Sequence, residues 1–193
     1  MLDEMSDEAL MLAYREGDAA AFEALYRRWR GRLYRYLLRQ CGNAAQADEL
    51  FQDIWLKIVG ARRGYEVAAK FSTWLFRIAH NRLIDHYRTQ GRAALVSLVS
   101  YDDDPADADR VAGLPAAASS QPEAIIERKA LAHELVRHIE ALPAAQRETF
   151  LLSEEGELTL EEIAAATGVN RETAKSRLRY AVNKLRAALR EHK

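Results

Sequence analysis

Cysteine occurs once in these 193 residues, at Cys41, which excludes an internal disulfide and any metal site built on several thiolates. Glycine (nine) and proline (four) are also scarce, so the chain has few of the residues that interrupt helices. No long alternating run rich in Val, Ile and Thr is present to support strands. No apolar run approaches the roughly 20 residues of a membrane span. The opening Met1-Leu-Asp-Glu-Met-Ser-Asp-Glu8 is acidic and lacks the basic-then-apolar layout of a signal peptide. A cytoplasmic protein without membrane insertion is expected. Neither a phosphate-binding glycine loop nor a Ser or Cys nucleophile signature appears. His80, Asp85 and His86 are spaced by five and six residues from the first, and His133 and His138 by five. Such spacings spread side chains around a helix, unlike the i, i+4 pair of a zinc helix. No metal, cofactor or catalysis is expected.

What the chain does contain favours helix. Ala, Leu, Arg and Glu abound, and apolar residues make up 49% against 30% charged. These residue types lose little freedom in a helix, and the apolar fraction suffices for a core. The fold class read from this is all-α. The net charge of −1 conceals a strong segregation. From Arg62 to Arg92, seven cations (Arg62, Arg63, Lys70, Arg77, Arg82, Arg88, Arg92) face only Glu66 and Asp85. From Arg171 onward, eight cations stand against Glu172 and Glu191. Between them lie Asp102, Asp103, Asp104, Asp107 and Asp109. Two basic segments flank an acidic one, a pattern that points to nucleic acid more than the sum does.

The acidic stretch also holds Pro105, Gly113, Pro115 and a Ser pair, and has few large apolar residues after Leu98. Such composition buries too little surface to offset chain entropy. It reads as a linker over 93–121 between helical domains at 1–92 and 122–193; a long surface loop within one domain is the alternative. Helices are predicted over 7–16, 19–41, 44–61 and 72–89 before it, and over 123–141, 144–153, 160–167 and 171–191 after it.

Three surfaces carry chemistry. Thr159-Leu-Glu-Glu162 has the form of a capping box, a short helix follows to Gly168, and Asn170 can cap the next. This is a helix-turn-helix layout. On the second helix Ala174, Leu178, Ala181, Val182, Leu185 and Leu189 share one face. Glu172, Lys175, Ser176, Arg179, Asn183 and Arg186 occupy the other, as a helix entering the major groove requires. Arg171, Arg177 and Lys184 lie where phosphates could be gripped. A solvated basic helix in a plain bundle is the alternative.

On the helix that includes Trp74, the side chains of Phe71, Leu75, Ile78 and Ala79 form a core stripe. Beside it, Trp74, Arg77, Asn81 and Arg88 suit a platform for unpaired bases, with an aromatic to stack on and cations for the backbone. Alternatively, Trp74 completes the bundle core. On the helix over 44–61, Ala47, Leu50, Phe51, Ile54 and Ile58 form a core stripe. A second face shows Asp48, Gln52, Trp55, Leu56 and Val59 with Glu49 alongside, which is either a protein-docking patch anchored by Trp55 or a second buried side.

In this order, with this linker, the three surfaces resemble the sigma factors, specifically the two-domain extracytoplasmic-function group. Ala47-Asp-Glu-Leu-Phe-Gln-Asp-Ile-Trp-Leu-Lys57 is similar to the family's region 2.2. The resemblance implies that Asp48, Glu49, Gln52, Asp53 and Trp55 contact the clamp helices of the largest subunit of core RNA polymerase. Phe71-Ser-Thr-Trp-Leu-Phe-Arg-Ile-Ala-His-Asn81 resembles regions 2.3 and 2.4, and 60–70 the loop that captures a flipped base. Arg63, Lys70, Phe71, Trp74, Arg77, Asn81 and Arg88 would then meet the minus-ten element. The stretches Leu142–Phe150 and Leu160–Leu178 resemble regions 4.1 and 4.2. Arg171, Glu172, Thr173, Lys175, Ser176, Arg177 and Arg179 would then meet the minus-thirty-five element. The implied partners are core polymerase (including its flap, for the C-terminal domain), promoter DNA and an anti-sigma factor. An autonomous helix-turn-helix regulator, dimeric on duplex operators, is the rival reading; it leaves the aromatic–basic stripe without a task.

Overall fold

The computed structural model describes residues 2–89, 91 and 122–190, and the linker expected over 93–121 lies outside them. Eight α-helices are present among the described residues: α1 (Asp7–Arg15), α2 (Ala19–Cys41), α3 (Ala44–Ala61), α4 (Phe71–Thr89), α5 (Pro122–Glu140), α6 (Ala144–Glu154), α7 (Leu160–Thr167) and α8 (Arg171–Arg190). Short 3-10 turns occupy Leu2–Glu4 and Arg62–Gly64, and no strand occurs among the described residues.

Local chemistry sets most of the boundaries. Asp18 Oδ1 accepts the Ala20 and Ala21 amides at the start of α2, and Asn43 Oδ1 accepts those of Ala45 and Gln46 at the start of α3. Such caps satisfy amides that have no partner within the helix. Helix α2 ends where Gly42 adopts φ 64°, a left-handed conformation that glycine enters without steric cost.

Helices α1–α4 pack around Leu10, Met11, Leu25, Leu33, Leu37, Leu50, Ile54, Ile58, Leu75 and Leu83, all withdrawn from water. Helices α5–α8 enclose Ile139, Leu151, Leu152, Ile163, Ala174, Ala181 and Leu185. The two bundles pack on one another: α2 meets α5 and α6, and α4 meets α7. Gly156, just after α6, sits in this contact. A Cβ there would lie 2.6 Å from the Leu152 carbonyl oxygen and 3.1 Å from the Phe76 ring, so a larger residue would force the backbone after α6 to shift and crowd the contact between the bundles.

Candidate nucleic-acid interface

Helix α7 begins with the reciprocal bonds of a capping box. Thr159 Oγ1 accepts the Glu162 amide at 3.3 Å, and Glu162 accepts the Thr159 amide at 2.8 Å. Gly168 turns the chain at φ 73°, and Asn170 Oδ1 accepts the Thr173 amide at 2.7 Å to start α8. The helix-turn-helix therefore has the local devices its sequence predicts. Arg171, Glu172 and Lys175 are exposed at the start of α8, with Thr173, Ser176 and Arg179 partly covered. Their charges are balanced locally: Arg171 pairs with Glu161 and Glu172, and Lys175 lies 3.7 Å from Glu172. The Glu161 carboxyl is held below its ordinary range by Arg171. Arg179 lies over the Tyr180 ring, with its guanidinium 5.3 Å from the centroid. Arg177 lies near the first bundle. It is partly covered, as Arg179 is, and its charge opposes that of His80 across the contact between the bundles.

On α4 the expected second stripe is present. Arg77, Asn81 and Arg88 are exposed and Trp74 is half-buried, with its ring 5.0 Å from Tyr65 and 5.9 Å from Phe71. Arg63 and Lys70 are exposed on the segment that leads into this helix. Phe71 lies in the core stripe that helical period predicts: its ring is wholly buried in the same core as Leu75, so its side chain is not on the surface where the resemblance placed it. What it offers at the surface of the bundle is its amide, donated to Glu8 at 2.7 Å. Burial opposes the charge on Glu8, yet that amide, its own backbone, Ser6 and Lys70 outweigh it and keep the carboxyl below its ordinary value. Tyr65, buried beneath the segment, has a phenol pushed up to about 12 by desolvation and by the charges of Glu8 and Asp7.

On α3, Asp48, Glu49 and Gln52 are exposed. Asp48 is anchored beside the Tyr34 hydroxyl, which it holds above the ordinary tyrosine range. Asp53 is half-buried and accepts two bonds from Arg82, at 2.9 and 2.5 Å. Trp55 takes the second of its two readings, the buried side. It is only 6% exposed and packs against Phe22, Tyr26 and Phe51, so the second face of α3 is partly interior. Leu56, at 68% exposure, and Val59 are the large apolar side chains that face outward. The helical period placed Leu56 beside Trp55 but could not say which of the two turned inward.

Sequence reasoning missed the contacts between bundles. His80 Nδ1 lies 2.7 Å from Glu148 Oε1, and the Tyr36 hydroxyl donates to the same oxygen at 2.8 Å. Burial works against a charged His80, but the bond and charge of Glu148 outweigh it, with Arg177 opposing, and its pKa rises above 6.5. Around this buried centre, Arg35 makes a bidentate pair with Glu155 and Arg32 meets Glu157 at 2.5 Å. Lys70 Nζ lies 2.9 Å from Glu162, so a cation of the segment before α4 is paired with the capping residue of α7. Among the described residues no three His, Cys, Asp or Glu side chains gather to hold a metal, and no helix is long and apolar enough to cross a membrane.

Comparison with known proteins matches this arrangement. Residues 25–93 match the sequence model of Sigma-70 region 2, and residues 139–187 that of Sigma-70 region 4. The chain is 33% identical over 181 residues to the ECF RNA polymerase sigma factor RpoE of Cereibacter sphaeroides, covering 92% of both chains. It is 31% identical over 179 residues to ECF RNA polymerase sigma factor SigE of Mycolicibacterium smegmatis, covering 91% of this chain and 65% of that one. Among solved structures, CnrH in complex with the cytosolic domain of CnrY aligns with a TM-score of 0.63 at 21% identity, over 97% of this chain and 99% of that one. The sigma factor RpoE in complex with the anti-sigma factor NepR from Bartonella quintana aligns with a TM-score of 0.62 at 24% identity, over 88% and 96%. At these identities the structural matches speak for the fold.

Proposed function

This chain belongs to the extracytoplasmic-function group of the sigma-70 family and is an alternative sigma subunit for promoter-specific transcription initiation; from that premise we propose how its two bundles divide the work. The first bundle docks on core RNA polymerase through the exposed α3 face of Asp48, Glu49, Gln52 and Leu56. It holds unpaired bases of the minus-ten element along Trp74, Arg77, Asn81 and Arg88. The second bundle inserts the start of α8 into the major groove of the minus-thirty-five element, with Lys175, Ser176 and Arg179 toward base edges. The protein supplies recognition, and the polymerase supplies the chemistry. Its place of action is the cytoplasm.

The Lys70–Glu162 contact is the observation that carries this division, because it ties the minus-ten surface to the helix-turn-helix. The two promoter elements lie about 25 base pairs apart, roughly 85 Å at 3.4 Å per pair. A compact chain of this length has a radius of gyration of about 16 Å, roughly 40 Å across. The bundles must therefore separate before both elements are held at once, and the packed arrangement is a resting form. A partner that favours the packed form would silence the protein, which is the role proposed for an anti-sigma factor.

Photo-crosslinking tests the assignment. A crosslinker at Arg77 of the reconstituted holoenzyme should label the unpaired strand at the minus-ten element, and one at Lys175 the duplex at minus-thirty-five. Labelling of the same DNA segment from both positions would overturn the division.

A further inference from the structure

Helix α1 lies outside the part of the chain that matches region 2, yet it holds the segment before α4 at three points. Glu8 accepts the Phe71 amide at 2.7 Å. Arg15 Nη1 donates to the Tyr65 carbonyl at 3.1 Å, while its Nε donates to Glu16 at 2.9 Å. The Arg62 guanidinium lies 5.2 Å from the centroid of the buried Tyr14 ring. Helix α1 is itself pinned to α2 through Asp7, which accepts Arg28 Nη1 at 2.8 Å and Trp29 Nε1 at 2.9 Å.

The segment needs such support. From Glu66 to Lys70 every residue is exposed, and Tyr65 alone anchors it by burial, edge-on to Trp74. Lys70, just before α4, has no side-chain acceptor for the free amides of the helix start. A helix that begins without a local cap needs an acceptor from elsewhere. Glu8, 63 residues away, supplies it.

We infer that α1 is a clamp that sets the 62–70 segment and the first turn of α4 in the pose that captures an unstacked promoter base, with Glu8 and Arg15 as positioning residues. The inference rests on the minus-ten assignment above. Its physical basis is preorganisation: a segment fixed before binding loses less freedom when the base arrives. Neither residue touches DNA; each acts through a backbone group of the segment.

The test uses holoenzyme reconstituted with core polymerase and a promoter selected by the wild-type protein from a minus-ten library. Abasic substitutions along the non-template strand identify the position whose loss most reduces open-complex formation. Glu8→Leu keeps bulk and removes the acceptor; Arg15→Met removes the donor; Glu8→Gln keeps an acceptor without charge. Both disruptive variants should lower opening of the intact promoter about tenfold and reduce the abasic penalty to near one. Glu8→Gln should keep at least half the wild-type opening and the full penalty. Equal losses on intact and abasic templates, with the penalty preserved, would reduce α1 to a structural element and overturn the clamp. So would a Glu8→Gln variant as defective as Glu8→Leu. A wild-type holoenzyme indifferent to abasic sites throughout the element would instead overturn the minus-ten assignment, and the clamp with it.

Discussion

His80 Nδ1 and Glu148 Oε1 lie 2.7 Å apart across the contact between the two bundles, with side-chain exposures of 6% and 3%. With the Tyr36 hydroxyl on the same oxygen, the pair forms a buried polar centre whose hydrogen-bond partners come from both bundles. A buried carboxylate is tolerated when paired and hydrogen-bonded, and strongly destabilising when its partners are removed.

Replacing Glu148 by Ala should therefore open the molecule. Removing one member of a buried pair costs about 3–5 kcal/mol where nothing relieves it. Here separation of the bundles returns Tyr36 and His80 to water. The radius of gyration in small-angle scattering should rise with helix content unchanged; an unchanged radius would contradict this.

Proton binding should act on the same contact with a definite sign. The packed-state pKa of His80 lies above its ordinary 6.5. Its contribution is then fully present below about pH 6.5 and is lost as pH rises through the raised value. Energy transfer between dyes on the two bundles should fall over that rise. His80→Asn should flatten the profile; an unaltered profile would assign the dependence to another group.

Trp74→Ala and Leu56→Glu should separate two functions. Loss of base stacking costs about 1–3 kcal/mol per base, so Trp74→Ala should reduce promoter opening by about 5- to 150-fold and leave polymerase affinity intact. Leu56→Glu should abolish polymerase binding without unfolding, because Leu56 is 68% exposed. Trp55→Ala, by contrast, should cost about 3–5 kcal/mol of stability in a melt.

Lys175→Ala should relax base preference at one position of the minus-thirty-five element, at a cost of about 1–3 kcal/mol. A uniform loss across sequences with the salt slope lowered by about 1 would place Lys175 on a phosphate instead.

The helix-turn-helix was legible because its signals are local: Thr159 and Asn170 each cap a helix within three residues of themselves, as Asp18 and Asn43 do in the first bundle. The α4 stripe of Arg77, Asn81 and Arg88 was legible from helical period, and the structure leaves all three exposed. Period could not tell the buried Trp55 from the exposed Leu56, since both lie on the second face of α3 and only the neighbouring α2 residues Phe22 and Tyr26 decide between them. Glu148 stands in a polar stretch that reads as surface; its partners lie 68 and 112 residues away. Glu8 capping α4 is hidden for the same reason.

The account turns on whether this chain lends promoter choice to a polymerase that has none without it. Purified protein mixed with bacterial core RNA polymerase should form a stable complex and start transcripts at a narrow set of promoters from a random library. Core polymerase that neither binds the chain nor gains promoter selection from it would contradict the account.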